Sequence, residues 1–420
     1  MIVHAEDAES ILRYSEELRE QNLGGAAIPM KNVSYIIGNE NIVNAPMKVY
    51  SDEALSFAND LSQAILKTPG IRQFPDAVAF AFWCRRGNIE KLKESFGDVS
   101  KRLGRGLVFH ISPGNIPVNF AFTYMFGVLA GCANIVRLPS RSFPQTDLIL
   151  DVIRAVLEKH LEIEKRTAFI RYSADDEITS EYSKLADARM IWGGDRTVEN
   201  IKKLGAKPRC VDITFADRYS ICMIDAEAVL KADETVIKKL AEDFYNDTYL
   251  MDQNACSSPQ MIFWVNDNAE ARERFWNAVY DLAKGRYYLQ DAVAVDKYTN
   301  LCQEAIENKE RIADYKNKDN LLYRIEIKNT KEDITELRGK SGYFHEMAIN
   351  DISDINDIIT EKYQTLIYFG LDAEELRQNV IDNNLRGIDR IVPVGKSLDI
   401  GVIWDGYDLV RSLSRIVSLS

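Results

Sequence analysis

Apolar residues recur at helical spacing through residues 54–66 and again through 77–84, with Thr68-Pro69-Gly70 as a break between them. From Gly104 onward the pattern changes to short apolar runs separated by amphipathic ones. Residues 106–112 read as a buried strand, Pro113-Gly114-Asn115-Ile116-Pro117 as a turn, and 118–129 as an apolar helix. Residues 134–138 predict a second strand. Pro139 to Thr146 leads into a helix with Ile149, Val152, Ile153, Val156 and Leu157 on one face. Strands follow at 167–172 and 189–192, and helices at 182–186 and 197–204. This alternation predicts an α/β fold with a doubly wound parallel sheet.

The C-terminal half predicts a smaller α/β domain. Residues 261–265 read as a buried strand and 269–282 as a helix with Phe275, Trp276 and Val279 inward. Further strands are expected at 321–327, 347–349 and 366–369. The charged stretch 309–320 is expected to be an exposed helix and loop. The expected division is a helical N-terminal segment (1–100) packing on a cofactor domain (101–252), a catalytic domain (253–385), and a closing segment (386–420). That last piece returns to the first domain or extends onto a partner subunit. No repeat or low-complexity segment interrupts it.

Composition narrows the classes. The chain has 420 residues, 46% hydrophobic and 28% charged, an ordinary globular make-up. A net charge of −12 argues against nucleic acid or an anionic membrane surface as partner. The most apolar run, 119–131, is too short to span a bilayer, and the N-terminus shows no signal pattern. The six cysteines are scattered without a CxxC pair, and the four histidines are scattered too. Neither a metal site nor a disulfide framework is expected, and a reducing cytoplasm is.

One stretch stands out chemically: Met251-Asp-Gln-Asn-Ala-Cys-Ser-Ser-Pro-Gln260, followed by the strand ending at Val265. It sets Cys256 in a small, polar turn closed by Pro259. A cysteine there has room around its sulfur and a backbone N–H to donate, as a catalytic thiolate needs. A small buried hydrophobe is the competing reading, and the stretch alone leaves both open. The nucleotide motifs are incomplete. Gly104 and Gly106 make a GxG, but Phe109 stands in place of the third glycine. Gly339-Lys340-Ser341 resembles the end of a P-loop, but Ile334 stands in place of its first glycine. Gly193-Gly194 before a helix is the better phosphate candidate, although Asp195 would repel an anion and reads as an N-cap.

Together, Ser112-Pro-Gly-Asn-Ile-Pro117, Asn134-Ile-Val-Arg-Leu-Pro-Ser140 and Gln253-Asn-Ala-Cys-Ser-Ser-Pro-Gln260 resemble the acyl-CoA reductase (LuxC-type) family. That family supplies fatty aldehyde in bacterial bioluminescence and belongs to the aldehyde dehydrogenase superfamily. Arg386-Gly-Ile-Asp-Arg-Ile-Val-Pro-Val-Gly395 and Trp404-Asp-Gly-Tyr407 add to the likeness, which runs from about Gly104 to the C-terminus. It implies an aldehyde dehydrogenase-like fold. It also implies Cys256 as nucleophile and Asn115 as the amide that joins the cysteine N–H in an oxyanion hole. From the residues alone, Asn115 is equally a turn residue.

The resemblance also implies a nicotinamide cofactor along Ser112, Pro113, Arg137, Ser140 and Arg141, with Gly193 and Gly194 at its pyrophosphate. Leu138 and Arg141 depart from the superfamily's Lys-Pro-Ser-Glu at this point. A guanidinium where an acidic group would accept ribose hydroxyls favours a 2′-phosphate, hence NADPH. Alternation turns Arg137 to the other side of its strand. Glu361-Lys-Tyr-Gln364 is similar to Glu-x-Phe-Gly, which would set Glu361 on the nicotinamide ribose. A loop running into a strand explains those residues as well. The segment 213–220 lacks the glutamate that activates water in hydrolysing relatives, which fits release of aldehyde rather than acid.

The expected activity is therefore NADPH-dependent reduction of an acyl thioester (an acyl-CoA or an acyl-protein) to an aldehyde through a thioacyl-cysteine. The resemblance implies a homo-oligomer and an acyl-protein synthetase as partner. The sequence offers no base for Cys256. Two alternatives stay open. One is a reductase of an acyl phosphate, for which 252–260 supplies no basic pocket. The other is a non-catalytic acyl-carrying or scaffold subunit, against which intact Asn115 and Cys256 argue.

Overall fold

A computed structural model of the chain describes residues 32–329 and 333–419. The chain forms two compact units: one runs up to Ala216 and resumes at Tyr407, and the other comprises Asp217–Gly406.

The first unit holds β1 (Ser34–Ile37), the short β2 (Arg102–Gly104), β3 (Leu107–Ile111), β4 (Ala133–Arg137), β5 (Thr167–Arg171), β6 (Ala188–Trp192) and β7 (Val211–Phe215). Its main sheet runs β1-β5-β4-β3-β6-β7, parallel except for β1 at the edge. Its parallel part begins at β3, winds to one side through β4 and β5, then crosses to β6 and β7 on the other. The winding reverses between β3 and β6, which is where an open α/β sheet leaves a crevice at its carboxyl edge. Helix Asn119–Leu129 is buried along its whole length, as a helix apolar on every face is. Two of its polar side chains find partners: Thr123 meets His110 at 2.9 Å, and the Tyr124 hydroxyl meets Thr167 at 2.8 Å.

Helix Asp52–Lys67 is capped by Ser51, whose hydroxyl accepts from the N–H of Ala54, and buries Leu55, Phe57, Leu61 and Ile65. The closing strand Ser414–Ile416 pairs antiparallel with β2, and Arg105 donates to the Ser412 carbonyl at 2.6 Å. The incomplete GxG at Gly104 and Gly106 lies at the amino end of β3, away from the crevice. A Cβ at Gly104 would sit 2.3 Å from the Gly131 carbonyl oxygen. Gly106 has φ +131° and would press on Asp187. Both glycines serve close packing.

The second unit holds β8 (Tyr219–Asp225), β9 (Pro259–Val265), β10 (Ile312–Lys318), β11 (Leu322–Ile327), β12 (Tyr343–Ile349), β13 (Tyr363–Phe369) and β14 (Arg390–Pro393). Its sheet runs β10-β11-β12-β9-β8-β13-β14, parallel except for β10. Helices Glu234–Asp247 and Ala269–Arg286 cover one face. Phe244, Phe275, Trp276 and Val279 are buried there, in one cluster with Trp264.

Two features differ from the sequence reading. Residues 312–318 form an antiparallel edge strand, not a helix and loop. A strand at a sheet edge has few residues to bury, so its Lys and Asp content resembles that of a loop, and such charges also discourage further pairing. The division between units falls at 216/217 and 406/407, where the sequence reading put it at 252/253 and 385/386. The reason is β8, which pairs with β9 and β13 and so joins the sheet of the second unit.

Candidate active site

In the second unit, helix Glu234–Asp247 ends and the chain makes a tight loop before β9. Asp252 and Gln253 both take positive φ, +51° and +60°. Non-glycine residues hold that conformation only when their surroundings compel it. Here the compulsion comes from two buried amides. Gln253 donates through Nε2 to the carbonyls of Pro259 (3.1 Å) and Tyr343 (3.0 Å), while its Oε1 accepts from the N–H groups of Gly342 and Tyr343, each at 3.3 Å. Gln260 donates to the Gln253 carbonyl at 3.2 Å and accepts from the N–H of Gly339 at 2.8 Å. Gly339 therefore belongs to this loop's support, and a Cβ there would lie 2.0 Å from the Tyr343 carbonyl oxygen. Ser258 closes the turn by donating to the Asp247 carbonyl at 2.7 Å.

Asp247 is itself buried and accepts from the N–H groups of Gly395 (2.6 Å) and Ser397 (2.9 Å). Burial pushes its carboxyl up to about 6 despite those two donors.

Cys256 sits in this turn, at the amino edge of the sheet, beside the first residues of β8 and β13. Ser220 donates to the Cys256 carbonyl at 2.7 Å. Gln364 Nε2 lies 3.4 Å from Sγ and also donates to the Asp405 carboxylate. Arg218 pairs with Asp389 and lies 3.6 Å from Asp405. Cys256 keeps some exposure, but burial of its sulfur, then the Asp405 charge, push the thiol up to about 11; Gln364 and Arg218 pull the other way. At neutral pH the resting residue is a thiol.

Glu361 lies just before β13, largely exposed, with its carboxylate 3.2 Å from Arg386. The remaining sequence candidates lie in the first unit, at the carboxyl edge of its sheet. Ser112 and Pro113 follow β3, Arg137 ends β4, Ser140 and Arg141 follow it, and Gly193 and Gly194 follow β6. Ser112 and Gly193 thus extend the two strands that flank the winding reversal. Ser112 Oγ and Arg137 Nε are buried without a hydrogen-bond partner. The Arg137 guanidinium lies over the Tyr172 ring at 4.5 Å, and that of Arg141 over Phe143 at 4.7 Å. Gly194 starts helix Asp195–Lys203 and, as a glycine, supplies no side-chain cap. Asn115 is exposed in the turn after Pro113. The unpartnered buried hydroxyl of Ser112 and the helix start after Gly194, on the two strands that flank the crevice, fit an anionic dinucleotide.

Sequence reasoning did not single out Gln253, Gln260, Ser220, Gln364, Asp405 or Arg218. All six lie inside stretches it did quote, but a buried amide, hydroxyl or carboxylate has no pattern of its own.

The profile of the acyl-CoA reductase (LuxC) family matches residues 85–419. A long-chain acyl-protein thioester reductase from Photobacterium leiognathi is 21% identical over an alignment of 335 residues that covers 76% of this chain and 64% of that protein. The chain thus spans less than two thirds of that relative's length. Aldehyde dehydrogenase 21 from Physcomitrella patens, solved with the reaction product succinate, superposes with a TM-score of 0.57 at 11% identity, covering 88% of this chain and 85% of that one. An NADP-dependent glyceraldehyde-3-phosphate dehydrogenase from Bacillus halodurans, complexed with NADP, gives 0.53 at 14% identity over 87% and 83% of the two chains. The fold is that of the aldehyde dehydrogenases.

Proposed function

Because the chain belongs to the acyl-CoA reductase (LuxC) family, we propose that it reduces a long-chain acyl thioester, carried on protein or on coenzyme A, to the aldehyde. In this reading the unit containing β3–β7 holds the cofactor and the unit containing Cys256 carries the acyl group. An acyl-protein synthetase as supplier of the substrate and a homo-oligomeric assembly belong to the same reading.

Cys256 as thiolate attacks the thioester carbon. A new C–S bond forms, and the carrier leaves as a thiol. Asn115 and the Cys256 N–H donate to the oxygen that gains charge. NADPH, when bound, supplies the hydride that reduces the thioacyl carbon. The Cys256 C–S bond then breaks, the aldehyde departs and the thiolate returns. The net exchange is thioester, NADPH and a proton for aldehyde, thiol and NADP⁺. Ser112, Pro113, Arg137, Ser140, Arg141, Gly193 and Gly194 would hold the dinucleotide in the first unit, and Glu361 its nicotinamide ribose. A guanidinium at position 141 supports NADPH over NADH.

The observation that carries this reading is the seat of Cys256. Its turn is pinned by two buried glutamines, and an amide donor faces the sulfur. A merely structural cysteine requires neither. The test is incubation with long-chain acyl-CoA and with acylated protein, reading NADPH consumption and the mass of the Cys256 peptide. The expected result is an acyl adduct on Cys256 without NADPH, lost when NADPH is added, and no turnover in Cys256→Ala. Turnover by Cys256→Ala would overturn the reading.

A further inference from the structure

Gln364 is a buried polar side chain whose amide orientation is determined by its neighbours. The Asp405 carboxylate can only accept, so the group facing it must be the NH₂. The Thr365 hydroxyl donates to the opposite oxygen at 3.4 Å. The same NH₂ lies 3.4 Å from Cys256 Sγ, so the sulfur faces a donor and not an acceptor.

Asp405 is held in turn. It takes φ +49°, and Arg218 stands 3.6 Å from it. Arg218 also donates to the carbonyls of Lys362 (3.3 Å) and Tyr363 (3.0 Å), clamping the main chain just before Gln364. The arrangement is a chain of contacts, Arg218 to Asp405 to Gln364 to the Cys256 sulfur, drawn from four segments far apart in sequence.

We propose that Gln364 is a catalytic donor to the Cys256 sulfur, aimed by Asp405 and Arg218 as positioning residues, and that it stabilises the thiolate both at attack and on aldehyde release. A neutral amide suits this task. It favours the anion without presenting a proton that the thiolate would have to share, as a protonated base would. The charged groups around the sulfur are Asp405, Arg218 at the head of β8, and Asp389 and Arg390 at the head of β14. Burial and the Asp405 carboxylate disfavour the thiolate, whereas Gln364 and Arg218 favour it. Arg390 in turn feels the sulfur's charge. The two partners of the amide bond therefore act on the sulfur with opposite signs, and this makes the proposal testable.

The proposal rests on Cys256 being the nucleophile, so its test reads the sulfur directly. The rate of iodoacetamide alkylation of the Cys256 peptide is followed by mass spectrometry from pH 7 to 11, with thermal unfolding as the control for folding. Gln364→Met, nearly the same shape but no donor, should move the alkylation profile up by about one pH unit, roughly a tenfold slower reaction at pH 8. Gln364→Glu should move it further up. Asp405→Asn removes the charge while keeping an oxygen for Gln364 to reach, and should move the profile down. A folded Gln364→Met with an unchanged profile overturns the proposal, as does an upward shift in Asp405→Asn. Should Gln364→Met fail to fold, the signs of Gln364→Glu and Asp405→Asn decide. A Cys256 that is never acylated, with these shifts intact, would sink the proposed reaction and leave the donor standing.

Discussion

The side chain of Gln253 pairs with the main chain of Tyr343, donating to its carbonyl at 3.0 Å and accepting from its N–H at 3.3 Å. It acts as one more rung at the amino end of β12. That rung ties the turn carrying Cys256 to a strand some ninety positions later in the chain.

Replacing Gln253 should therefore cost more than its volume suggests. Gln253→Ala strands buried N–H and C=O groups, each typically worth about 1–3 kcal/mol. Gln253→Gly separates the two roles of the residue, because glycine relieves the positive φ but removes the same bonds. If the hydrogen bonds dominate, both variants lose stability in chemical denaturation and both lose activity. A Gln253→Gly as stable as wild type would mean that the backbone conformation, not the amide, was the costly feature.

Asn115 offers a sharper separation between structure and chemistry. It is exposed, so truncation should change stability by no more than about 0.5 kcal/mol. If its amide donates to the oxyanion, Asn115→Ala should lower kcat by roughly a hundredfold or more, with KM moving less. A change confined to KM would reduce Asn115 to a turn residue.

The legible part of this fold is the part with one-sided or fully apolar patterning. The strands from β3 to β6 read clearly because they are buried on both faces and bounded by Gly, Pro and Ser. β10 reads as helix and loop because an edge strand with Asp314 and Lys316 exposed has the composition of a surface segment. Residues 219–225 fall inside the expected cofactor domain (101–252) yet form β8 in the other sheet, because local patterning does not show which strands pair. The site was half legible for a related reason. Cys256 announces itself by a small polar turn, but Gln253, Gln364 and Asp405 are polar residues inside the protein. Single-sequence reasoning assigns such residues to the surface, and only their partners show otherwise.

Asp247, which anchors the start of the Cys256 loop, should make stability depend on acid pH. Its carboxyl is pushed up to about 6 in the folded protein, above its ordinary value. Between about pH 4 and 6 the folded state therefore holds more protons than the unfolded chain, and stability falls as pH rises. Asp247→Asn cannot titrate and also loses one acceptor for the N–H groups of Gly395 and Ser397. Denaturation at pH 4 and pH 7 should show its deficit relative to wild type shrinking toward neutral pH, by on the order of 3 kcal/mol at most. A deficit that grows toward pH 7 would mean that the two backbone donors hold the carboxylate ionised.

Coenzyme preference provides the last test, and it falls on the first unit. Arg141 is exposed beside Phe143 at the carboxyl edge of β4, whereas Arg137 stacks on Tyr172. A guanidinium beside a 2′-phosphate forms a charge-assisted pair, typically worth about 1.5–3 kcal/mol. That predicts at least a roughly tenfold preference for NADPH in kcat/KM. Arg141→Glu should weaken NADPH and spare or improve NADH, since a carboxylate repels phosphate and accepts from ribose hydroxyls. Arg137→Ala is the control: with its guanidinium engaged on Tyr172, its loss should leave the NADPH-to-NADH ratio standing. Binding can be read without turnover, by quenching of protein fluorescence on titration with each coenzyme. Equal use of the two coenzymes by wild type, or an unchanged ratio in Arg141→Glu, would make Arg141 a surface charge and move the adenosine pocket elsewhere on that edge.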